Sequence, residues 1–254
     1  MGSWTKYELI VLPIALAVII LTTILLWVLL KNKNYKTRSI PLKIIALILF
    51  VAEIVKQVLN FIKGYGLGAI PLHFCSLFVF FFPLSELFGE KVGKFFKPVS
   101  TVTATAMTLL FYFGPGSIIG DSPYDIFFTN MQFSNVSEFY NVFASYHTFF
   151  FHHLVILYFA INLALKLYTP EKKDFIKVFI VIETYVIIAM PLSHIIGVNF
   201  CNFAYSNIPF MESLRVACGQ LVYSLVMHIV IAGGCALITY VYYLISNIIT
   251  KKRS

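Results

Sequence analysis

Charged residues are scarce in this sequence. Only 12% of its 254 residues are charged, whereas 59% are hydrophobic and 17% are aromatic. Soluble domains carry about 25% charged residues, so this composition excludes a soluble fold. The net charge of +8 does not indicate a nucleic-acid partner, because Lys and Arg cluster in short loops between apolar runs, as they do in the cytoplasmic loops of membrane proteins.

Cysteine is also scarce, and the four cysteines lack the spacing of a zinc cluster or a disulfide scaffold. Neither HxxxH nor HExxH occurs, so we expect no metal and no cofactor. Cys218 and Cys235 are interpreted as buried and inert, since buried thiols behave as small hydrophobic groups. Cys201 lies in a predicted outer loop, where a disulfide with Cys218 is an open alternative.

Long apolar runs recur along the whole chain, each near the ~20 residues that a helix needs to cross a bilayer. No small-residue cleavage pattern follows the first run, so it is interpreted as a retained helix and not as a signal peptide. The sequence predicts an all-α polytopic membrane protein, with residues 1–254 as a single domain. The seven predicted spans are roughly 9–30, 41–62, 69–88, 98–119, 143–167, 175–196 and 216–247, and the last is long enough to begin as a tilted or interfacial segment.

Alternate loops are poor in positive charge. Residues 120–141 contain no Lys or Arg and carry Asp121, Asp125 and Glu138, whereas residues 31–38 contain four basic residues. The positive-inside rule therefore places the N-terminus outside and the C-terminus in the cytoplasm. The bias towards Ile, Phe and Lys is typical of an AT-rich bacterium, and we expect a multi-pass protein of a bacterial plasma membrane.

One predicted span carries a polar face. Glu53, Lys56, Gln57 and Asn60 follow the spacing i, i+3, i+4, i+7, which places them on one side of a helix. A charge at the centre of a bilayer costs roughly 2.5–3.5 kcal/mol on insertion scales, so these side chains should face protein or water. Two interpretations stay open: a structural Glu53–Lys56 pair, or the wall of a polar cavity.

The stretch Pro71-Leu72-His73-Phe74-Cys75-Ser76 introduces a histidine and a thiol at the start of the third predicted span. Proline suits the first turn of a helix, and residues two apart on a regular helix do not face each other. A base for Cys75 would then come from another helix.

With the predicted topology, polar intramembrane residues converge on the outer half of the bilayer. An isolated intramembrane His or Cys usually serves packing, so the prediction of a site depends on this convergence. The candidate catalytic residues are Cys75, His152, His153 and His73. The candidate substrate-binding residues are Glu53, Lys56, Gln57, Asn60, His147, His194, Asn199 and Gln220.

Three motifs resemble the YwaF-like family of bacterial integral membrane proteins: Pro71 to Ser76, the pair His152-His153, and Gly197-Val198-Asn199-Phe200 before Pro209. A eukaryotic transmembrane phospholipid acyltransferase that uses a cysteine nucleophile is distantly similar to that family. The resemblance covers most of the chain from the second span onward. It implies that Cys75 corresponds to the family cysteine and that His152 or His153 corresponds to its helical histidine.

Three hypotheses for function follow. The first is a lipid acyltransferase or acyl hydrolase, in which Cys75 attacks a phospholipid ester with His152 or His153 as base, and membrane lipids serve as acyl donor and acceptor. The second is a small-solute transporter or binding protein with a polar cavity that opens to the extracellular side. The third is a metal-dependent membrane hydrolase, which no ligand spacing supports.

Overall fold

A computed structural model of the chain describes residues 6–113, 135–206 and 209–251, and within these ranges the regular structure is entirely helical. The all-α prediction is thus confirmed. The helices, with our labels, are α1 Lys6–Leu30, α2 Tyr35–Arg38, α3 Ile40–Ile62, α4 Phe78–Glu86, α5 Gly89–Phe113, α6 Val136–Ala164, α7 Asp174–Ile195 and α8 Pro209–Lys251. Short 3₁₀ turns cover Leu67–Ala69, Cys75–Leu77 and Phe200–Asn202.

Four helical segments in the described ranges are long and apolar enough to cross a membrane: Leu9–Leu30, Val136–Ala164, Asp174–Ile195 and Pro209–Ile248. A chain with several such segments is a membrane protein. The count of seven spans and the orientation stay predictions. Asp121 and Asp125, on which the orientation partly depends, lie outside the described residues.

The chain divides into two compact units. The first comprises Met1–Ile70 and Met107–Leu167. Its helices α1 and α6 pack around Leu12, Phe111 and Ile156, and α3 packs along α6. α3 and α6 run antiparallel. At one end the Arg38 guanidinium donates to the Leu165 carbonyl at 3.0 Å, and at the other the Lys63 ammonium lies 3.6 Å from the centre of the Tyr140 ring.

The second unit comprises Pro71–Ala106 and Tyr168–Ser254. α7 and α8 pack along each other, and α4 and the start of α5 contribute to the same apolar core. Val102, Ile182 and Tyr223 are almost fully buried in that core. Ser193, near the end of α7, forms a hydrogen bond to the loop that leads to α8.

The third predicted span differs from the structure. Pro71 does not begin a helix: the chain makes turns as far as Phe74, and the continuous helical segment is Cys75–Glu86. The prediction of a regular helix over 69–88 is wrong because the backbone of Leu72 and Phe74 bonds to side chains distant in sequence instead of to the next helical turn. Twelve residues are too few for a full crossing, which needs about 20.

The long last helix is interrupted. Gly219 adopts φ +82° and ψ 165°, which is not helical, so α8 breaks between Cys218 and Gln220. That the last span begins as a tilted or interfacial segment stays a prediction.

Candidate functional site

The segment Pro71–Ser76, hereafter the Cys75 segment, is a compact turn ahead of α4. Ser76 N–H donates to the His73 carbonyl at 2.9 Å, and Leu77 N–H donates to the Phe74 carbonyl at 3.3 Å. Cys75 is therefore the first residue of a helical run that continues to Glu86. The positive end of a helix dipole favours a thiolate over a thiol, and the Cys75 side chain is half-buried and not sealed off.

A second cysteine holds this segment in place. The Phe74 N–H donates to Cys201 Sγ at 2.8 Å, the Cys201 sulfur contacts Tyr185 Oη, and Tyr185 Oη donates to the Leu72 carbonyl at 2.9 Å. We call this closed set of contacts the Cys201 ring. Cys75 lies near enough for its charge to interact with both Cys201 and Tyr185.

The loop that carries Cys201 is itself fixed from several sides. Ser193 Oγ donates to the Val198 carbonyl at 2.6 Å and accepts from Phe200 N–H at 3.1 Å. Tyr223 Oη donates to the Asn202 carbonyl at 2.5 Å. Backbone groups of the loop therefore find partners in these side chains as well as in the 3₁₀ turn Phe200–Asn202, as buried polar groups must.

In the first unit, the polar face of α3 is buried against α6. The Glu53 carboxylate is 3% exposed; it lies 2.6 Å from Lys56 Nζ and accepts from Gln57 Nε2 at 2.7 Å. His147 Nε2 lies 3.4 Å from Glu53 Oε2, too far for a good hydrogen bond. Among the described residues, the Nδ2 atom of Asn60 and the Nε2 atom of His147 are buried without a hydrogen-bond partner.

His152 and His153 make the same contact one residue apart. His152 Nδ1 lies 2.7 Å from the Thr148 carbonyl, and His153 Nδ1 lies 2.7 Å from the Phe149 carbonyl. A carbonyl only accepts, so each Nδ1 carries the proton, and in the neutral ring Nε2 is left as an acceptor. His152 is 3% exposed, and its Nε2 has no hydrogen-bond partner in the described part of the chain.

This chain thus has several apolar helices, a thiol that follows a turn (Cys75) and a buried imidazole (His152). The family model described as the TMEM164 family matches residues 1–242. The chain belongs to the TMEM164 family. No curated protein and no solved structure matches it. TMEM164 membership establishes a transmembrane family for nearly the whole chain, and the finer resemblance to YwaF-like proteins and to an acyltransferase stays a prediction.

Four further predicted site residues of this TMEM164-family chain lie in the second unit. The His73 ring packs edge-on against Phe200 with centroids 5.2 Å apart, and the His194 side chain is exposed. The Asn199 amide accepts from Ala204 N–H and donates to the Tyr205 carbonyl. Gln220 donates to the Phe203 carbonyl at 2.9 Å. Asn199 and Gln220 therefore hold the Cys201 loop, and a substrate role for them stays a prediction.

Two residues near Cys75 were missed from the sequence as parts of a site, namely Cys201 and Tyr185. A buried tyrosine needs a partner for its hydroxyl, so a Tyr within an apolar span was the available signal. The disulfide alternative is wrong, because Cys201 and Cys218 are both thiols. The interpretation of Cys218 as buried is also wrong, since its side chain is exposed, whereas Cys235 is buried as expected.

The described residues contain no cluster of three or more His, Cys, Asp or Glu side chains that could hold a metal ion. The metal-hydrolase hypothesis therefore gains no support from the geometry.

Proposed function

We propose that this TMEM164-family chain is a membrane-embedded acyltransferase or acyl hydrolase that acts on phospholipid esters. Cys75 is the nucleophile and His152 the general base, with His153 as the alternative base. The protein works in the plasma membrane of a bacterium, and its substrates are membrane lipids.

The observation that carries this function is the state of His152. A general base needs an accessible lone pair and a fixed ring. The Thr148 carbonyl fixes the ring in the tautomer that leaves Nε2 as acceptor, and that atom is buried without a hydrogen-bond partner among the described residues. A structural histidine in an apolar helix would be expected to satisfy both ring nitrogens, because an unpaired buried polar atom costs about 1–3 kcal/mol.

The chemistry follows in two steps. His152 Nε2 accepts the thiol proton, Cys75 Sγ attacks the ester carbonyl, and the bond to the glycerol oxygen breaks. That oxygen takes the proton from His152 and leaves, and the acyl group remains on Cys75 as a thioester. A hydroxyl group of water or of a second lipid then attacks the thioester while His152 takes its proton, and the thiol is restored.

Intact-mass spectrometry after incubation with mixed phospholipids tests this function. We expect a hydroxylamine-labile gain of one fatty acyl group in the wild type and in the control Cys218→Ala, and no gain in Cys75→Ala. His152→Gln should slow adduct formation by about 10²-fold or more, since general base catalysis contributes ~10²–10⁴-fold. An adduct that persists in Cys75→Ala, or a rate unchanged in His152→Gln, would contradict the assignment.

A second function, small-solute binding, is favoured by one specific observation in the first unit. Asn60 Nδ2 and His147 Nε2 are buried without hydrogen-bond partners among the described residues, and both belong to the same packed helix pair, α3 and α6. Such atoms suit a polar guest or bound water. Solute binding that survives Cys75→Ala and is lost in Asn60→Leu would favour this function over acyl transfer.

A further inference from the structure

We propose, on the basis of the acyl-transfer function above, that Cys201 is a positioning residue: its sulfur, through the Cys201 ring, holds the Cys75 segment in the conformation from which Cys75 reacts. The ring joins Leu72 and Phe74 to a loop that follows them by 127 residues in sequence.

Donors and acceptors in the ring can be assigned consistently. The Phe74 N–H donates to Cys201 Sγ, and Tyr185 Oη donates to the Leu72 carbonyl. Cys201 Sγ also lies 3.8 Å from the Leu72 carbonyl, but the phenol is nearer at 2.9 Å, so the phenol proton is assigned to that carbonyl. The remaining contact, between Cys201 Sγ and Tyr185 Oη, then has the thiol as donor. In this assignment the Phe74 N–H donates to the sulfur, the thiol donates to the phenol oxygen, and the phenol donates to the Leu72 carbonyl. One thiol and one hydroxyl therefore satisfy both backbone groups ahead of Cys75.

This assignment requires a protonated Cys201. Burial raises the pKa of the Cys201 thiol to about 12, so the thiol keeps its proton at neutral pH. The two neighbouring cysteines therefore differ in role. Cys201 is a neutral hydrogen-bonding group, whereas Cys75 is the proposed nucleophile and begins the helical run that continues to Glu86.

The backbone of the Cys201 loop indicates that the placement of this sulfur is enforced. Cys201 and Asn202 have φ +51° and +60°, in the left-handed region that non-glycine residues rarely adopt. Such strain persists only where the surroundings over-determine the conformation, and it concentrates at functional sites. Here the surroundings are the bonds from Ser193 and Tyr223 that fix the loop on both sides of Cys201.

Three variants separate positioning from mere stability. Cys201→Ser keeps a group that can donate and accept, Cys201→Ala removes the ring, and Tyr185→Phe removes its phenol. Cys218→Ala is the matched control because that thiol is exposed and outside the ring. The readouts are the rate of Cys75 acylation at saturating phospholipid, the half-saturating lipid concentration, and hydrogen–deuterium exchange of the peptide that contains residues 71–77.

We expect Cys201→Ala and Tyr185→Phe to slow acylation at saturating lipid by about tenfold, with the half-saturating concentration within about twofold of wild type. Exchange of the 71–77 peptide should rise by about tenfold in both variants. Cys201→Ser should stay within about threefold of wild type in rate and exchange, because the hydroxyl restores the ring.

Two results would overturn the positioning role. One is unchanged exchange in Cys201→Ala, which would mean that the ring does not hold the segment. The other is faster exchange with an unchanged acylation rate, which would mean a structural role only. If the wild type forms no acyl adduct, the proposed function fails, and the exchange data still report separately whether the ring holds Leu72 and Phe74.

Discussion

Two of the buried carboxylates, Glu86 and Glu53, differ in how their charge is balanced. The Glu86 carboxylate lies 2.6 Å from Lys97 Nζ and accepts from Ser85 Oγ at 3.0 Å. Glu53 is shared by an ammonium and an amide, with an imidazole at a longer distance. The first arrangement is a buried ion pair. Near the second, Asn60 Nδ2 and His147 Nε2 are buried without hydrogen-bond partners among the described residues, which is why the proposed alternative function is placed there.

Breaking the Glu86–Lys97 pair should destabilise the protein. Lys97→Met removes the cation that lies 2.6 Å from the buried Glu86 carboxylate, and we expect a loss of about 3–5 kcal/mol in the free energy of unfolding. The double variant Glu86→Gln with Lys97→Met should recover most of that loss, because neither position then carries a charge. Chemical unfolding in detergent micelles measures both.

The control for this pair lies on the same helix. Lys94 and Glu90 form an exposed pair, and exposed pairs contribute little, so Lys94→Met should leave the unfolding midpoint unchanged. A loss in Lys97→Met no larger than that in Lys94→Met would refute the assignment of Glu86–Lys97 as a stabilising buried pair.

The helical spacing of the polar residues of α3 could be predicted, because i, i+3, i+4 neighbours share a face whatever the tertiary structure. The Glu53 bonds to Lys56 and Gln57 follow from that spacing. The Cys201 ring could not be predicted. It depends on a left-handed backbone at Cys201 and on a partner 127 residues away, and neither leaves a periodic pattern in the sequence.

At the scale of the element, helix ends were predicted less well than helices. The α7 bounds match the prediction within one residue, since charged residues precede the apolar run and Gly197, with φ +68°, follows it. The third span was misplaced because Pro71 is compatible with both a helix start and a turn, and tertiary hydrogen bonds to Leu72 and Phe74 decided between them.

The break in α8 yields a prediction with a matched control. Gly219 has φ +82° and ψ 165°, a region essentially restricted to glycine, so Gly219→Ala should cost about 1–3 kcal/mol. Gly234 lies in the regular part of the same helix, and no side chain or neighbouring element comes within 4 Å of the position that a Cβ would occupy there. Gly234→Ala should therefore stabilise the protein by about 0.4–1 kcal/mol.

Opposite shifts of the unfolding midpoint in the two variants are the expected result. Equal shifts would mean that the Gly219 conformation is not required for the native fold, and α8 would then be one continuous helix.

At the scale of the whole molecule, the charge pattern predicts which helix ends lie on the same side of the membrane. Within each unit, helix ends predicted on one side contact each other. In the first unit, Arg38 contacts the end of α6 at Leu165. In the second, Lys177 Nζ donates to the Lys94 carbonyl at 3.3 Å. The loops expected in the cytoplasm therefore meet each other within each unit. Which face is cytoplasmic stays a prediction, because the positive-inside rule is its only support.

Single introduced cysteines test that orientation. We expect Ser137→Cys to react with a membrane-impermeant maleimide on intact cells and Lys33→Cys to react only after lysis, because the first lies outside and the second inside in the predicted topology. The wild type gives the background from natural thiols, of which Cys218 is exposed. The reverse labelling pattern would invert the topology and would move the proposed site to the inner leaflet.

The length of α8 has a further consequence. From Gln220 to Tyr242 the helix rises about 33 Å, which already matches a hydrocarbon core of about 30 Å. Tyr242 contacts Tyr168 and Thr105, and tyrosines favour the membrane interface. The nine residues or so that follow, as far as Lys251, add about 13 Å. These last turns include Leu244, Ile245 and Ile248 and belong to the apolar segment that ends at Ile248. Because the apolar length exceeds the thickness of the hydrocarbon core, we expect α8 to tilt in the bilayer so that these side chains stay in lipid.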